Sequence, residues 1–168
     1  MKRFHVHLAV EDLARSIDFY TRLFGQAPAT ERPDYAKWML DEPPVNFALS
    51  ARGHVAGLNH FGIQVDSNEE LAIAREASER AAGDGVLDQG EASCCYARSE
   101  KHWKVDPQGI AWEHFLTLAD APVFGDDTAT QAGACCIPIR RDSDEGASAE
   151  APCCVPTQEH EAGESCCS

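Results

Sequence analysis

The sequence predicts an α+β fold of two βαβββ modules, followed by a tail of different character. Three observations carry that expectation. A strand–helix–strands pattern occurs twice, 55 residues apart. The composition changes abruptly near Gly125, and all eight cysteines occur as adjacent pairs.

In the first copy, residues 4–10 alternate. Phe4, Val6, Leu8 and Val10 share one face and His5, His7 and Ala9 the other, the period of a strand. The apolar face is expected to pack under a helix, so His5 and His7 point away from that core. Residues 11–24 have helical spacing, with Leu13, Ile17, Tyr20 and Phe24 on one stripe that Phe19 and Leu23 widen. Gly25 stops the helix. Strands over 35–40 and 45–50 follow, joined by a turn at Asp41-Glu-Pro-Pro44.

The second copy repeats this order. A strand over 58–65 places Asn59, Phe61, Ile63 and Val65 on the core face and turns His60 and Gln64 the other way. Ser67 or Asn68 caps a helix to about Ala82, and Gly83 stops it. Strands over 93–97, 101–105 and 110–116 complete the copy, the last two joined by a turn at Asp106-Pro-Gln-Gly109. The modules span about 1–53 and 57–118 within a domain of 1–125. Residues 126–168 hold no aromatic residue of the Phe, Trp or Tyr type and nine acidic residues against two arginines. Such a segment buries too little apolar surface to offset its ordering entropy, so it is expected to be a flexible tail.

A net charge of −14 opposes nucleic acid and anionic membranes as partners, since both call for basic patches. No apolar run approaches the ~20 residues that span a bilayer. The first residues, MKRFHVHLAV, lack the apolar stretch of a signal peptide. A cytoplasmic location with reduced thiols is expected. An even cysteine count also suits a secreted disulfide scaffold, but the pairing pattern and the missing leader oppose it.

Cys94-Cys95, Cys135-Cys136, Cys153-Cys154 and Cys166-Cys167 are poor material for ordinary disulfides. Neighbouring Cα atoms lie about 3.8 Å apart, below the usual disulfide range of roughly 4.4–6.8 Å. As thiolates, two adjacent sulfurs make a chelate for a soft ion, and trivalent arsenic and cadmium share that preference.

Aligning the two copies places His5 on His60. Glu113 alternates with Trp112 and His114 on the last strand. Two histidines and one carboxylate form a metal set with open positions, as non-haem Fe(II) oxygen chemistry requires. A strand histidine alone is more often a hydrogen-bonded or surface residue, and a lone Glu is more often solvated. The repeat is what raises His5 and His60 above that baseline. His7 has Gly62 as its repeat partner and is read as cavity-lining. His54, His102, His114 and His160 are read as structural or solvated. The repeat equivalent of Glu113 is approximately the apolar Phe47, so a fourth protein ligand is not expected.

The run His5-Val-His-Leu-Ala-Val-Glu-Asp-Leu-Ala-Arg-Ser-Ile-Asp-Phe-Tyr-Thr-Arg-Leu-Phe-Gly25 resembles the vicinal oxygen chelate superfamily, which includes glyoxalase I, bleomycin resistance proteins and extradiol dioxygenases. Within it the chain resembles the ArsI carbon–arsenic lyase and cadmium-induced protein branch. The matching segments are Tyr35-Ala-Lys, Pro43-Pro44, Gly57-Leu-Asn-His60, Cys94-Cys95-Tyr96, Lys101-His-Trp103, Asp106-Pro-Gln-Gly109, Trp112-Glu113, Leu118-Ala-Asp120 and Phe124-Gly125. The resemblance covers about residues 3–125. It implies a cupped mixed sheet with helices outside and metal ligation by His5, His60 and Glu113. It also implies binding of the organoarsenical by Cys94 and Cys95.

The activity so implied is Fe(II)- and dioxygen-dependent cleavage of the carbon–arsenic bond in trivalent organoarsenicals, such as methylarsonous acid or reduced aromatic arsenicals, giving arsenite. Tyr96, Trp103 and Phe115 are candidates to wall the cavity, each also explicable as packing. The tail pairs are expected to take soft metal ions. Module pairing within the chain is expected, with a homodimer left open. Two other readings stand beside this one: a non-enzymatic cadmium- or arsenite-binding protein, and a glyoxalase-like thiol-dependent enzyme. The second leaves Cys94-Cys95 without a role.

Overall fold

The structure, a computed structural model, describes residues 2–81 and 85–122. It holds β1 (Arg3–Ala9), α1 (Leu13–Phe24), β2 (Thr30–Arg32), β3 (Tyr35–Asp41), β4 (Pro44–Ser50), β5 (Gly57–Val65), α2 (Asn68–Arg80), β6 (Leu87–Cys94), β7 (Ala97–Val105) and β8 (Ala111–Asp120). The expected α+β architecture of two βαβββ modules is present. Gly83, Phe124-Gly125, the tail 126–168 with its three cysteine pairs, and His160 lie outside the described residues.

The eight strands form one curled mixed sheet in the order β2-β3-β4-β1-β5-β8-β7-β6. The two halves share one internal pattern. β1 runs parallel to β4, and β5 runs parallel to β8. The outer strands of each half are antiparallel, and an antiparallel β1–β5 seam joins the halves. β2 is a short strand that the sequence pattern did not reveal, because Thr30–Arg32 is too brief to show a period.

Helix α1 starts at Leu13, two residues later than the alternation implied. Asp12 caps it, accepting a hydrogen bond from the Arg15 backbone N–H at 2.9 Å. Gly25 closes it in the left-handed region at φ 70. Its core face packs Leu13, Ile17, Tyr20 and Phe24 against Ala36, Trp38, Phe47 and Leu49. Phe19 and Leu23, expected to widen that stripe, are exposed instead. The buried arc of a surface helix is narrower than its apolar arc here. Ser67 caps α2 through the Glu70 N–H. No helix among the described residues is long and apolar enough to cross a membrane.

The strand expected over 93–97 does not exist as such. Cys95 and Tyr96 adopt φ 56 and 59, two successive left-handed residues. That is the backbone of a tight hairpin turn, so Cys94 ends β6 and Ala97 begins β7. The apolar look of Cys94-Cys95-Tyr96 concealed the turn.

Register also corrects the repeat partner of Glu113. Val6 pairs with Phe47 as Phe61 pairs with Trp112, so the equivalent of Glu113 is Ala48, not Phe47. Ala48 is fully buried and carries no donor atom, so the absence of a fourth ligand from that position holds.

Candidate metal centre and cysteine pair

The concave face of the sheet is polar but buried. His5, His7, His60, Lys101 and Glu113 are all at most 5 % exposed. The strand period turns His5 and His7 inward from β1, and the β1–β5 register sets His7 opposite His60 and His5 opposite Gly62. Glu113 sits beside Gly62 on the parallel neighbour β8. A methyl group on Gly62 would run into the backbone carbonyl of Glu113, so this crossing admits only glycine.

Each histidine proposed as a ligand is fixed through its Nδ1. His5 Nδ1–H donates to the backbone carbonyl of Asn46 at 3.0 Å, and His60 Nδ1–H donates to the Asn59 side-chain oxygen at 2.7 Å. That tautomer leaves a lone pair on each Nε2. The two Nε2 atoms face each other at 3.2 Å. Oε2 of Glu113 lies 3.4 Å from His60 Nε2 and 3.8 Å from His5 Nε2. Donors about 2.1 Å from one ion would lie ~3.0 Å apart at a right angle and ~3.4 Å apart at the tetrahedral angle; the two separations at His60 Nε2 match that range, and the 3.8 Å between Glu113 and His5 calls for a wider angle of roughly 130°.

The charge state fits as well. Burial first, then His60, lowers the His5 pKa to about 4, which keeps the imidazole neutral. Burial would raise Glu113, but the Lys101 ammonium and His60 outweigh it and hold the carboxyl well below its ordinary range. A neutral imidazole, as at His5, and an ionised carboxylate, as at Glu113, are forms that bind metal.

His7 competes for attention. His5, His7 and His60 offer ligand atoms within 4.8 Å of one another. His7 Nε2 is shared with the Ser50 hydroxyl at 2.9 Å, while its Nδ1 is buried without a hydrogen-bond partner among the described residues. Oε2 of Glu113 faces both Nε2 atoms and supplies negative charge, which His7 does not.

The cysteine turn closes over the same cavity. A space of about 30 Å³ is lined by Cys94, Cys95, His5, Glu113, Lys101 and Tyr35 among others. The two Sγ atoms are 3.3 Å apart, far outside bonding distance to each other. Two thiolates ~2.3 Å from one soft ion at a near-right angle would be about that far apart. Cys94 is disulfide-bonded in the structure, so the dithiol is the reduced form of the site. Burial pushes the Cys95 thiol up to about 12, with Lys101 pulling the other way.

The aromatic residues divide. Phe115 lines the cavity with its ring 5.2 Å from that of His5. The Trp103 ring lies 5.0 Å from that of His60, and its indole N–H donates to Gln89. The Tyr96 hydroxyl reaches Asp34 instead. His102 and His114, read as structural or solvated, stack with centroids 4.9 Å apart on the far side of the sheet, near Ser78 of α2. His54 is exposed. Lys101 was not singled out as a site residue in the sequence. The signal was there: Ser99, Lys101 and Trp103 alternate, so an inward Trp103 implies an inward lysine.

The comparisons with known proteins bear on the family and the fold. The family model of the Glyoxalase/Bleomycin resistance protein/Dioxygenase superfamily matches residues 2–114. A trivalent organoarsenical cleaving enzyme of Bacillus sp. (strain MD1) is 39% identical over 174 residues and covers 100% of both chains. The cadmium-induced protein CadI of Mycobacterium tuberculosis (strain ATCC 25618 / H37Rv) is 34% identical over 149 residues, covering 81% of this chain and 93% of its own. An extradiol ring-cleaving dioxygenase from B. fuscum superposes with a TM-score of 0.51 at 23% identity, covering 70% of this chain and 32% of that one, a likeness of fold alone. With a duplicated sheet, a buried centre at its seam and relatives matched along their length, the chain belongs to the Glyoxalase/Bleomycin resistance protein/Dioxygenase superfamily, in the branch of the trivalent organoarsenical cleaving enzymes and cadmium-induced proteins.

Proposed function

We propose that the protein cleaves the carbon–arsenic bond of trivalent organoarsenicals, methylarsonous acid and reduced aromatic arsenicals among them, releasing arsenite in a reaction that needs Fe(II) and dioxygen. The observation that carries the reading is the shared cavity: the side chains of Cys94 and Cys95 and the carboxylate and imidazole of the candidate centre line one small space. The name of the Bacillus relative, 39% identical along its whole length, supports the substrate class.

In this reading Cys94 and Cys95 capture the substrate. Each thiol proton leaves with one arsenic hydroxyl as water, and two S–As bonds replace two O–As bonds. Arsenic keeps its organic group and its trivalent state. The exchange itself drives deprotonation, which matters because the buried Cys95 is a neutral thiol at neutral pH. The chelate then fixes the organic group beside His5 and Glu113, turning an encounter into an intramolecular step. His5, His60 and Glu113 would hold the iron. When bound, Fe(II) supplies the chemistry with dioxygen that oxidises the carbon attached to arsenic. Tyr35 and Phe115 exclude water from that carbon. The reaction belongs in the cytoplasm, where thiols stay reduced. The tail pairs Cys135-Cys136, Cys153-Cys154 and Cys166-Cys167 would bind soft ions.

The test is arsenite release from methylarsonous acid by reduced, Fe(II)-loaded protein, with and without dioxygen, alongside His60→Ala and Cys95→Ser. Release that requires dioxygen and disappears in both variants supports the reading. Tight arsenical binding with no release would leave a sequestering protein on an enzyme scaffold.

A further inference from the structure

Lys101 is a buried lysine on the concave wall, 4 % exposed, and the metal set does not use it. Its Nζ donates to Oε1 of Glu113 at 2.7 Å, with both side chains almost wholly enclosed. The other oxygen, Oε2, is the one that faces His5 and His60. The carboxylate is therefore divided: one oxygen belongs to the ammonium and the other to the imidazole pair. Lys101 also lines the cavity together with Cys94 and Cys95.

A buried ammonium is costly unless it is paired, and a cation beside a divalent metal site is repelled by the ion. A lysine in that place opposes tight metal binding in general. It helps only if what it does to Glu113 matters more. A carboxylate can bind a metal through one oxygen or both, and the second oxygen consumes one more coordination position. An open site needs those positions for other ligands.

We propose that Lys101 is the positioning residue of this centre: by holding Oε1 of Glu113 it makes the carboxylate a one-oxygen ligand and keeps a coordination position free. This rests on the assignment of His5, His60 and Glu113 as the metal ligands. It concerns an outer partner of the centre, of the kind whose loss typically shifts metal affinity or activity by ~10–100-fold.

The experiment uses the full-length, reduced protein loaded with Co(II), with azide as the probe ligand, and reads visible absorption. Lys101→Met is expected to bind one Co(II) as the unaltered protein does. Its d–d bands should be weaker, as a higher coordination number gives, and its azide affinity at least about tenfold lower. Lys101→Arg, which keeps a cationic donor, should restore both. If the Met variant does not fold, Lys101→Gln is read in the same way. A Met or Gln variant with unchanged spectrum and azide affinity overturns the proposal, as does a folded variant that no longer binds Co(II). Failure of the unaltered protein to bind Co(II) overturns the metal assignment itself, and this inference with it. Loss of arsenite release with these Co(II) results intact strikes only the proposed reaction.

Discussion

The Tyr96 hydroxyl donates a 2.5 Å hydrogen bond to Oδ1 of Asp34 across 62 residues of sequence. The other carboxylate oxygen of Asp34 pairs with Arg52 at 2.5 Å, and the Arg32 guanidinium lies 5.4 Å above the Tyr96 ring. Tyr96 is the second left-handed residue of the cysteine turn, so the contact ties the thiols of the second module to the hairpin of the first. Tyr96→Phe should weaken binding of a trivalent arsenical by on the order of tenfold and leave Co(II) affinity unchanged. Titration followed by tryptophan fluorescence checks both.

Gly62→Ala should damage the centre without touching a ligand. The added methyl meets backbone, which cannot swing aside as a side chain would. Overpacking of this kind costs ~1–3 kcal/mol, and here it pushes β8 and Glu113 away from β5. A lower melting temperature and weaker metal binding are expected together. A normal melting curve with normal metal stoichiometry would contradict the crossing described above.

Ala48→Glu should close the site. Ala48 holds the position in the first module that Glu113 holds in the second, and it is fully buried. A carboxylate there would supply the missing fourth ligand. The variant should be less stable than the parent without metal, because it buries an extra charge. It should bind Co(II) more tightly, by about tenfold, and bind azide poorly. Calorimetry with and without metal separates these effects.

Acid should unfold the metal-free protein early. His5 and His102 have pKa values lowered to about 4, both chiefly by burial, and His7 and His114 are lowered as well. The unfolded chain binds these protons near pH 6.5, so between about pH 6.5 and 4 it takes up more protons than the folded one. Stability is full above about 6.5 and falls as pH drops through that window. The lowered carboxyl of Glu113 extends the loss below its ordinary range. Urea midpoints at pH 7.5, 6 and 5 should decrease in that order, and His102→Gln should flatten part of the slope.

Much of this was legible in the residues. Alternation in residues 4–10 and its return in 58–65 located both seam strands, and the 55-residue offset paired His5 with His60. Gly25 and Ser67 marked helix ends by chemistry that acts within a few residues, whereas the Asp12 cap was not read and the helix was begun at residue 11. Long-range relations were harder to read. The approach of Asp34 to Tyr96 depends on how the two modules face each other. The one-residue error that put Phe47 where Ala48 belongs came from aligning strands without their register. The Cys95–Tyr96 turn was missed because its residues are not the Asn and Gly that usually advertise left-handed backbone.

The strands of the two halves pair along β1 and β5, and His5 stands on one side of that seam while His60 and Glu113 stand on the other. An ion held by all three would act as a rivet through a duplicated chain. The scaffold and its cofactor then share one fate: metal starvation would not merely silence the protein but loosen its halves, exposing the β1 and β5 amides to solvent exchange and the chain to proteolysis.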